Sequence, residues 1–507
     1  MLGLPSPLFA PSSIWETETA RNGQITASEM GIRLHSSYNP EREAQSALSL
    51  PEVNEKSTVV FYGFGLGYHA LAFAKNHPEK KLILIEPDVN HFFAALMLLD
   101  LTPVFELKEL VLAIACPPDA LLGLFENSLT VNLDDGGVSD AYYFDIPAFT
   151  NHAKEYFDTV KSIIKRNQRK NEINAATLKK FGKLWVNNTN RNLVQLEKCS
   201  GIGVFQKKAD NNLPFLVIGA GPSLEKFLPV MKELKKRCIL VCVETSLKAL
   251  LRFGVEPDFI LLTDPQFWAY KHIAGLKAPE SFLITELSAY PAVFRFKCKN
   301  ILLCRSQFPL ASYYEDELGL TEENADLGSG GSVASSAWNF AYFSGAKEIY
   351  TIGLDFAFPG KQTHIKGSSA EQTYHTISTR LSGGDKFTAA ALYSANAMLS
   401  KDYSGNAVLT DSRMKMFSWW FEARLAKCSD VKTFTLAPEG LKTPGIEIAD
   451  IKTLLEKKEC PELRKAFLLR AEEMPSCKNV KEKLSKLKKN FPYKDFLTKY
   501  PFLKNYL

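Results

Sequence analysis

The sequence predicts an α/β fold built on a buried parallel sheet, and three short apolar runs carry this prediction. The runs cover residues 215–218, 239–243 and 259–262 of a 507-residue chain. They are too short for helices and show no polar alternation, which is typical of parallel strands covered on both faces. Small or acidic residues follow each run, as they do at the carboxyl edge of such a sheet, where ligands bind.

Length and hydrophobic patterning predict more than one domain. The composition is that of a globular protein, with 46% hydrophobic and 23% charged residues, and a chain of this length is expected to form two or three cores. We expect a Rossmann-like N-terminal α/β domain over residues 1–150, a helical linker over 151–212, a Rossmann-like central domain over 213–440 and a helical C-terminal region over 441–507. The polar segment 360–395 is interpreted as a lid over the ligand edge.

Composition also excludes several classes of protein. The net charge of +5 is small for this length and does not call for a nucleic-acid partner. The nine cysteines form no Cys-x-x-Cys pair, so neither a disulfide framework nor a zinc site is predicted. The start of the chain lacks the pattern of a signal peptide, and no apolar stretch reaches membrane-spanning length. We therefore expect a cytoplasmic protein with no membrane span and no bound metal.

The N-terminal domain contains a glycine turn, Gly63-Phe64-Gly65-Leu66-Gly67, after the predicted strand 58–62. The next predicted strand, 81–85, ends at Glu86. A glycine turn followed by an acid at the second strand end suits ribose or adenosine binding, and the pattern is similar to the nucleoside fingerprint of methyltransferases. The alternative is that the glycines only let strand and helix pack closely. We favour this alternative because no catalytic motif follows.

In the central domain, the first predicted strand leads into the loop Gly219-Ala220-Gly221-Pro222-Ser223. Gly219 and Gly221 would expose backbone N–H groups to an anion at the start of a helix. Pro222 suits the first helical turn because it has no N–H to lose there, and Ser223 could offer its hydroxyl to a phosphate or ribose. The alternative is a tight strand-helix turn with a capping serine.

Two further features lie at predicted strand ends. Glu244 and Thr245 follow the second strand directly. A second glycine-serine loop, Gly328-Ser329-Gly330-Gly331-Ser332, precedes a helix of small residues and would form another anion cradle through Gly330, Gly331 and Ser332. The alternative for this loop is a flexible segment with a good helix N-cap.

Three ionisable residues are candidates for the chemistry. Asp264 and Asp355 each follow a buried strand and could hold a ribose hydroxyl, or a divalent metal with its diphosphate; a helix N-cap is the alternative. His364 is the best general-base candidate, because its near-neutral pKa suits proton abstraction from a hydroxyl. A lone loop histidine is more often without function, but this one is expected beside the ligand edge.

Motifs spread over residues 30–440 resemble the motility-associated factor (Maf) glycosyltransferases. They are Gly-Ala-Gly-Pro-Ser-Leu, the stretch Gly-Val-Glu-Pro-Asp-Phe to Thr-Asp-Pro, Gly-Gly-Ser-Val-Ala, Ile-Gly-Leu-Asp-Phe-Ala-Phe followed by Thr-His, and Leu-His-Ser-Ser-Tyr-Asn-Pro near the start. The central domain also resembles the 6-hydroxymethylpterin diphosphokinase-like proteins and the bacterial sialyltransferases. This resemblance implies a sialyltransferase-like central fold.

The resemblance also implies a function. Such proteins transfer a nonulosonic acid (pseudaminic, legionaminic or sialic type) from a CMP-sugar to Ser or Thr of flagellin, and no cofactor beyond the donor is required. By position, His364 would be the base, and two loops would contact the nucleotide: Gly221, Pro222 and Ser223, and Gly330, Gly331 and Ser332. The chain departs from the sialyltransferase pattern where Gly219-Ala220 and Glu244-Thr245 replace asparagines.

Two other functions stay open from the sequence. A diphosphokinase acting on a pterin-like alcohol would need Mg²⁺ held by acids such as Asp264 and Asp355. A non-catalytic flagellin-binding factor on a degenerate nucleotide-binding fold would need neither metal nor base.

Overall fold

The computed structural model describes residues 14–507 except 119, 122–123, 126–130, 133–137, 211, 321, 323, 329, 472–479 and 505. Ser329 of the second glycine loop therefore lies outside the described residues. The chain divides into two compact units, Met1–Lys180 and Phe181–Leu507. The division falls inside one long helix, Lys154–Asn192, which the sequence correctly predicts as helical but assigns to a separate linker.

Unit one contains a parallel sheet and two small antiparallel ones. Its nine strands are β1 (Glu16–Thr19), β2 (Ile25–Glu29), β3 (Ile32–Arg33), β4 (Thr58–Tyr62), β5 (Lys81–Glu86), β6 (Leu110–Ile114), β7 (Val131–Asn132), β8 (Val138–Ser139) and β9 (Ala141–Asp145). The parallel sheet has the order β6-β5-β4-β9. Strands β1 to β3 form a meander, and β7 pairs with β8. The strand order of the parallel sheet reverses at β4, as in Rossmann-type folds.

The helices of unit one pack against this sheet and share its buried apolar clusters with the strands. They are Pro40–Leu48, Pro51–Glu55, Tyr68–Asn76, Val89–Leu98, Thr102–Phe105, Pro147–Thr150 and the start of Lys154–Asn192, with a 3₁₀ turn at Asn151–Ala153.

The glycine turn after β4 packs against its own chain. A Cβ on Gly63 or Gly65 would lie 2.6–2.8 Å from atoms of Phe149, so the structure agrees with the close-packing interpretation of these glycines.

Unit two is built on a nine-stranded sheet in which every pair is parallel. Its order is β10-β15-β14-β13-β12-β11-β16-β19-β20. The strands of unit two are β10 (Ser200–Gly201), β11 (Phe215–Ile218), β12 (Ile239–Val243), β13 (Phe259–Leu261), β14 (Lys277–Thr285), β15 (Lys297–Leu303), β16 (Glu348–Ile352), β17 (Met398–Lys401), β18 (Ala407–Thr410), β19 (Lys432–Thr435) and β20 (Glu447–Ile448). Strands β17 and β18 form a separate hairpin. The predicted parallel sheet is confirmed.

Helices cover both faces of this sheet because successive side chains of its strands point to opposite faces. Phe215 and Val217 of β11 pack in one layer, and Leu216 and Ile218 pack in the other. The α-helices of unit two that follow the long helix are Met231–Lys235, Glu244–Arg252, Phe267–Ile273, Pro309–Glu317, Val333–Phe343, Ser369–Ile377, Gly384–Tyr393, Ser412–Leu425, Ile451–Leu455, Pro461–Leu469, Val480–Lys489 and Tyr493–Lys499. Short 3₁₀ helices are Leu193–Gln195, Ile202–Phe205, Pro222–Val230, Pro291–Arg295, Pro359–Lys361 and Pro501–Leu503.

The helix after the first glycine loop differs from the sequence prediction. Pro222 does occupy its first turn, but Pro222–Val230 is a 3₁₀ helix and contains Pro229. A proline inside an α-helix removes one N–H and clashes with the carbonyl four residues earlier. The 3₁₀ helix ends at Val230, and a short α-helix, Met231–Lys235, begins at the next residue.

The C-terminal region is not a separate helical body. It supplies β20 to the central sheet, and Phe467 packs against Phe205, Phe215 and Phe259 in the same core. The sequence predicts helices here because the segment is rich in Lys and Glu, whereas the two-residue strand carries too little pattern to be recognised. In the described part of the chain, no helix is both long and apolar enough to cross a membrane.

Candidate functional site

The candidate site lies at the carboxyl edge of the nine-stranded sheet. Strands β11 to β15 extend to one side of β11, and β16 lies on its other side. The strand order therefore reverses between β11 and β16, and open α/β sheets bind ligands at such a point. The loops that leave this edge carry most of the sequence-predicted site residues.

The first glycine loop is locked to the end of β16. The N–H groups of Gly219 and Gly221 donate to Ile352 (2.8 Å) and Gly353 (2.8 Å). The N–H of Ser223 donates to Asp355 Oδ2 at 3.0 Å, and its hydroxyl donates to the other oxygen of the same carboxylate. In the structure the two glycine amides donate to backbone carbonyls after β16, and the Ser223 amide and hydroxyl donate to the Asp355 carboxylate, while contact of this loop with a ligand stays a prediction.

Asp355 is therefore a positioning residue in this structure and not an exposed acid. It is 4% exposed, and burial raises its pKa to about 6 although Ser223 favours the charged form. The Gly353 N–H also donates to Ser223 Oγ at 3.1 Å. The hydrogen-bonded pair of Ser223 and Asp355 thus joins the ends of β11 and β16 and fixes the shape of this edge of the sheet.

Any larger residue at position 221 would disturb the contact between the first glycine loop and Asp355. A Cβ at this position would overlap the Asp355 carboxylate and lie 2.8 Å from the Gly353 carbonyl oxygen. We expect Gly221→Ala to lower the free energy of unfolding by about 1–3 kcal/mol, because the loop and β16 must separate. Denaturant unfolding measures this change in the free energy of unfolding. Gly383→Ala is the matched control, since nothing lies within 4 Å of its Cβ; equal losses in both variants would contradict the packing argument.

Three carboxyl groups follow the neighbouring strands β12, β13 and β14. Burial raises the pKa of Glu244 to about 8, and nearby Asp264 adds to the rise. Burial also raises the pKa of Asp264, and that of Glu286 to about 7. Glu244 is 6% exposed, and its Oε2 has no hydrogen-bond partner in the described structure. A protonated Glu244 can donate to a ligand oxygen, so the edge does not repel an anion as three carboxylates would.

Glu244 gives the stability of this unit a pH dependence of definite sign. Its folded pKa of about 8 exceeds the unfolded value of about 4.3, so the folded state binds more protons between these values. The contribution of Glu244 to the free energy of unfolding is complete below pH 4.3 and is lost as the pH rises towards 8. We expect Glu244→Gln to raise the free energy of unfolding at pH 8 by on the order of 2 kcal/mol and to change little near pH 4.5. Glu456→Gln, at an exposed position, controls for net charge; a gain that does not grow with pH would contradict this assignment.

The long helix holds two of these strand ends in place. Asn188 Nδ2 donates to the carbonyls of Pro265 (2.9 Å) and Ser288 (3.1 Å). One turn later, Asn192 Nδ2 donates to Leu287 and Ala289, both at 2.8 Å. The helix therefore fixes the backbone beside Asp264 and Glu286, although the sequence treats this segment only as a linker.

His364 lies beside the first glycine loop. The next residue, Ile365, donates its N–H to the Ala220 carbonyl at 2.8 Å. The His364 side chain remains accessible to solvent, yet the surrounding protein lowers its pKa, and the charge of Arg413 lowers it further. The lowered pKa favours the uncharged form of this imidazole at neutral pH.

A second histidine, His272, lies close enough to His364 to interact with it electrostatically. Burial lowers the pKa of His272 to about 4, and repulsion from His364 and Lys271 contributes. Its Nδ1 is buried without a partner in the described structure. Lys271, on the same helix, donates to Thr373 at 3.2 Å. The helix Ser369–Ile377 of the predicted lid therefore lies over this edge, and its opening stays a prediction.

The second glycine loop begins the helix Val333–Phe343. This helix packs on β11 and β12 and ends five residues before β16, so its start points to the carboxyl edge. Ser332 is the N-cap and accepts from Ala334 N at 3.3 Å, and Gly330 N donates to Ser335 Oγ at 3.1 Å. Gly331 has φ +76° and is exposed. The N-cap alternative is thus realised, while nucleotide contact by this loop stays a prediction.

The structure separates Asp264 from Asp355. Asp264 follows β13 and Asp355 follows β16, with β12 and β11 between them. Three strand spacings amount to about 14 Å, which is too far for one Mg²⁺ to bind both carboxylates. Asp264 Oδ1 instead accepts from Gln266 N at 2.7 Å in a local turn, and Gln266, not Asp264, is the N-cap of the helix Phe267–Ile273.

Sequence reasoning missed His272, Glu286 and Arg413. Glu286 had a usable signal, because it ends a strand run as Glu244 and Asp264 do. His272 lies in a helix and Arg413 follows a hairpin, and no pattern in the sequence places either one next to His364. Thr245 is half-buried beside Glu244 and has no contact that assigns it a role.

The parallel sheet with side chains packed on both faces defines a doubly wound α/β protein, and its candidate site lies at the switch in strand order. Residues 187–361 match the 6-hydroxymethylpterin diphosphokinase MptE-like family, and residues 20–110 match the glycosyltransferase Maf N-terminal domain. The chain belongs to the Maf glycosyltransferase family, with an MptE-like central domain.

A solved structure is similar in fold, and two curated proteins are similar in sequence. The structure of a Maf glycosyltransferase from Magnetospirillum magneticum AMB-1 superimposes with a TM-score of 0.61 at 13% identity, over 92% of this chain and 75% of that one. Two Treponema pallidum (strain Nichols) proteins, both described as uncharacterized, are 36% and 30% identical over 233 and 222 residues. These matches cover 40% and 43% of this chain, and 59% and 73% of the two relatives.

Proposed function

We propose that this chain is a glycosyltransferase that moves a nonulosonic acid of the pseudaminic, legionaminic or sialic type from a CMP-sugar to a Ser or Thr hydroxyl of flagellin in the cytoplasm. Membership of the Maf family supports the transferase class. The observation that carries the proposal is the place of His364 beside the switch in strand order, where the next residue, Ile365, donates its N–H to Ala220 of the first glycine loop.

The mechanism is a direct displacement at the anomeric carbon. His364 accepts the proton of the acceptor hydroxyl, whose oxygen forms the new bond to the sugar. The bond between the sugar and the CMP phosphate breaks, and its electron pair leaves with the phosphate. Arg413 supplies positive charge next to His364, and protonated Glu244 supplies a hydrogen-bond donor. Both stabilise an anionic leaving group, and the mechanism uses no metal.

Co-expression tests the proposal. This chain, flagellin and a nonulosonic-acid pathway are produced together, and the intact mass of flagellin is measured. We expect flagellin to gain whole multiples of one nonulosonic acid residue, and to gain none without this chain. Lys488→Gln, at an exposed position on the helix Val480–Lys489, is the control and should retain the gain. Unmodified flagellin, with donor present in the cells, would overturn the proposal.

The same preparation distinguishes the two alternatives. Turnover of ATP with a pterin alcohol, dependent on Mg²⁺, would support the diphosphokinase, but its suggested metal pair of Asp264 and Asp355 lies on strands three positions apart. Stoichiometric binding of flagellin without a change in mass, by wild type and His364→Gln alike, would support the non-catalytic factor.

A further inference from the structure

A second cluster of ionisable side chains lies at the carboxyl edge of the parallel sheet in unit one. Glu86 is the last residue of β5, and His91 lies on the helix that follows it. His152 lies in the 3₁₀ turn after β9, and Glu29 ends β2 of the meander. The glycine turn after β4 is filled by Phe149, so these four side chains occupy the part of the edge that remains.

The side chains are close enough to share one ion. One ligand atom from each of Glu29, His91 and His152 lies within 4.8 Å of the other two. His91 Nε2 and Glu29 Oε1 are 3.0 Å apart, and the two imidazole rings meet edge to face with centroids 4.0 Å apart. A cation at about 2.1 Å from three ligands needs them about 3.4 Å apart, so small side-chain rotations suffice.

Glu86, the fourth residue of the cluster, is placed to support a ligand rather than to bind the ion itself. Glu86 Oε1 is 3.0 Å from His152 Nε2 and 3.9 Å from His91 Nδ1. Its other oxygen accepts from Phe64 N at 3.2 Å, which fixes the carboxylate. A carboxylate that bonds one ring nitrogen sets the tautomer and direction of the other, as in many metal-binding histidines.

Burial and accessibility suit a bound cation with an entry path. The side chains of Glu86, His91 and His152 are 1%, 7% and 8% exposed, whereas that of Glu29 is 17% exposed. Trp15 stacks on the His91 ring and covers another side. Two imidazoles favour Zn²⁺, Fe²⁺ or Ni²⁺ over Mg²⁺ and Ca²⁺, which prefer oxygen ligands alone.

We propose that Glu29, His91 and His152 bind a first-row divalent cation such as Zn²⁺, with Glu86 orienting His152. This site is separate from the glycosyl transfer proposed above and does not depend on it. The three proposed ligands come from distant parts of the sequence, so no spacing motif in the sequence indicates them. The proposal therefore differs from the sequence prediction, which expects no bound metal.

The test uses the full chain, stripped of metal with a chelator and titrated with Zn²⁺ by calorimetry. We expect one Zn²⁺ per chain at the site, and a loss of affinity of roughly 100-fold or more in the double variant His91→Gln, His152→Gln. His375→Gln, in the other unit, is the control and should bind as wild type. Equal affinity in the double variant and the wild type would overturn the proposal.

A measurement on the wild type keeps the proposal falsifiable if the double variant does not fold. X-ray absorption at the zinc edge reports the ligand atoms of the bound ion. We expect two imidazoles and oxygen ligands. A spectrum with sulfur ligands would place the ion at cysteines, and failure to bind Zn²⁺ at all would leave the cluster as two histidine-carboxylate pairs; either result overturns the proposal.

Discussion

The His364→Gln variant is expected to transfer sugar about 10²–10⁴ times more slowly than the wild type, with donor binding changed little. The imidazole is the proton acceptor in the proposed displacement, and glutamine has similar size but no basic nitrogen. Initial rates with CMP-sugar and purified flagellin measure kcat and KM separately. A fall in kcat with KM retained supports the role of a base, whereas a rise in KM alone would show that His364 only binds the donor.

The pH profile gives this prediction a second readout. Because the surrounding protein and the charge of Arg413 lower the pKa of His364, the active neutral form persists below the usual value of about 6.5. Transfer should therefore decline only as the pH falls below that value. Arg413→Gln removes a positive charge and should move the acidic limb to higher pH. An acidic limb at the same pH in wild type and Arg413→Gln would contradict this electrostatic coupling.

The largest expected effect on stability belongs to a buried ion pair in unit two. Arg464 donates to Asp258 through Nη2 (2.7 Å) and Nη1 (3.1 Å), and their side chains are 10% and 3% exposed. Asp258 also accepts from Leu240 N at 2.8 Å. The pair therefore attaches the C-terminal helix Pro461–Leu469 to the amino ends of β12 and β13.

Arg464→Ala is expected to lower the free energy of unfolding by about 3–5 kcal/mol, because it leaves the Asp258 carboxylate buried without its partner. Denaturant unfolding of the full chain, followed by a probe of unit two, measures the change. Lys486→Ala breaks an exposed pair with Glu482 and is the control, with an expected change below about 1 kcal/mol. Similar losses from both substitutions would contradict the argument from burial.

Strands with uninterrupted apolar runs could be predicted from the sequence. The predicted bounds of β4, β11 and β12 agree with the structure, because strands covered on both faces must be apolar throughout. Strands β19 and β20 at the sheet edge could not be predicted, since Lys432–Thr435 is half polar and Glu447–Ile448 is two residues long. Such strands form because a neighbour is already in place: β19 pairs with β16, and β20 pairs with β19.

The candidate site was predictable as a set of strand ends but not as a set of contacts. Residues that follow parallel strands meet at one edge, which places Ser223, Glu244 and Asp264 together. Nothing local reveals that Ser223 and Asp355 bond each other, since 132 positions separate them. The desolvation that shifts the pKa of Glu244 likewise arises from packing over the whole domain.

The position of β11 has a consequence for synthesis of the chain. Phe215 pairs with Ile239 on one side and with Ile349 on the other, so its second neighbour is translated much later than its first. At about 5–20 residues per second, the ribosome delivers β16 roughly 7–27 s after β11. During this interval the nascent chain presents an apolar strand with an unpaired edge, which is the template for wrong pairing between copies. Chaperone protection of this unit during translation is therefore most needed between β12 and β16.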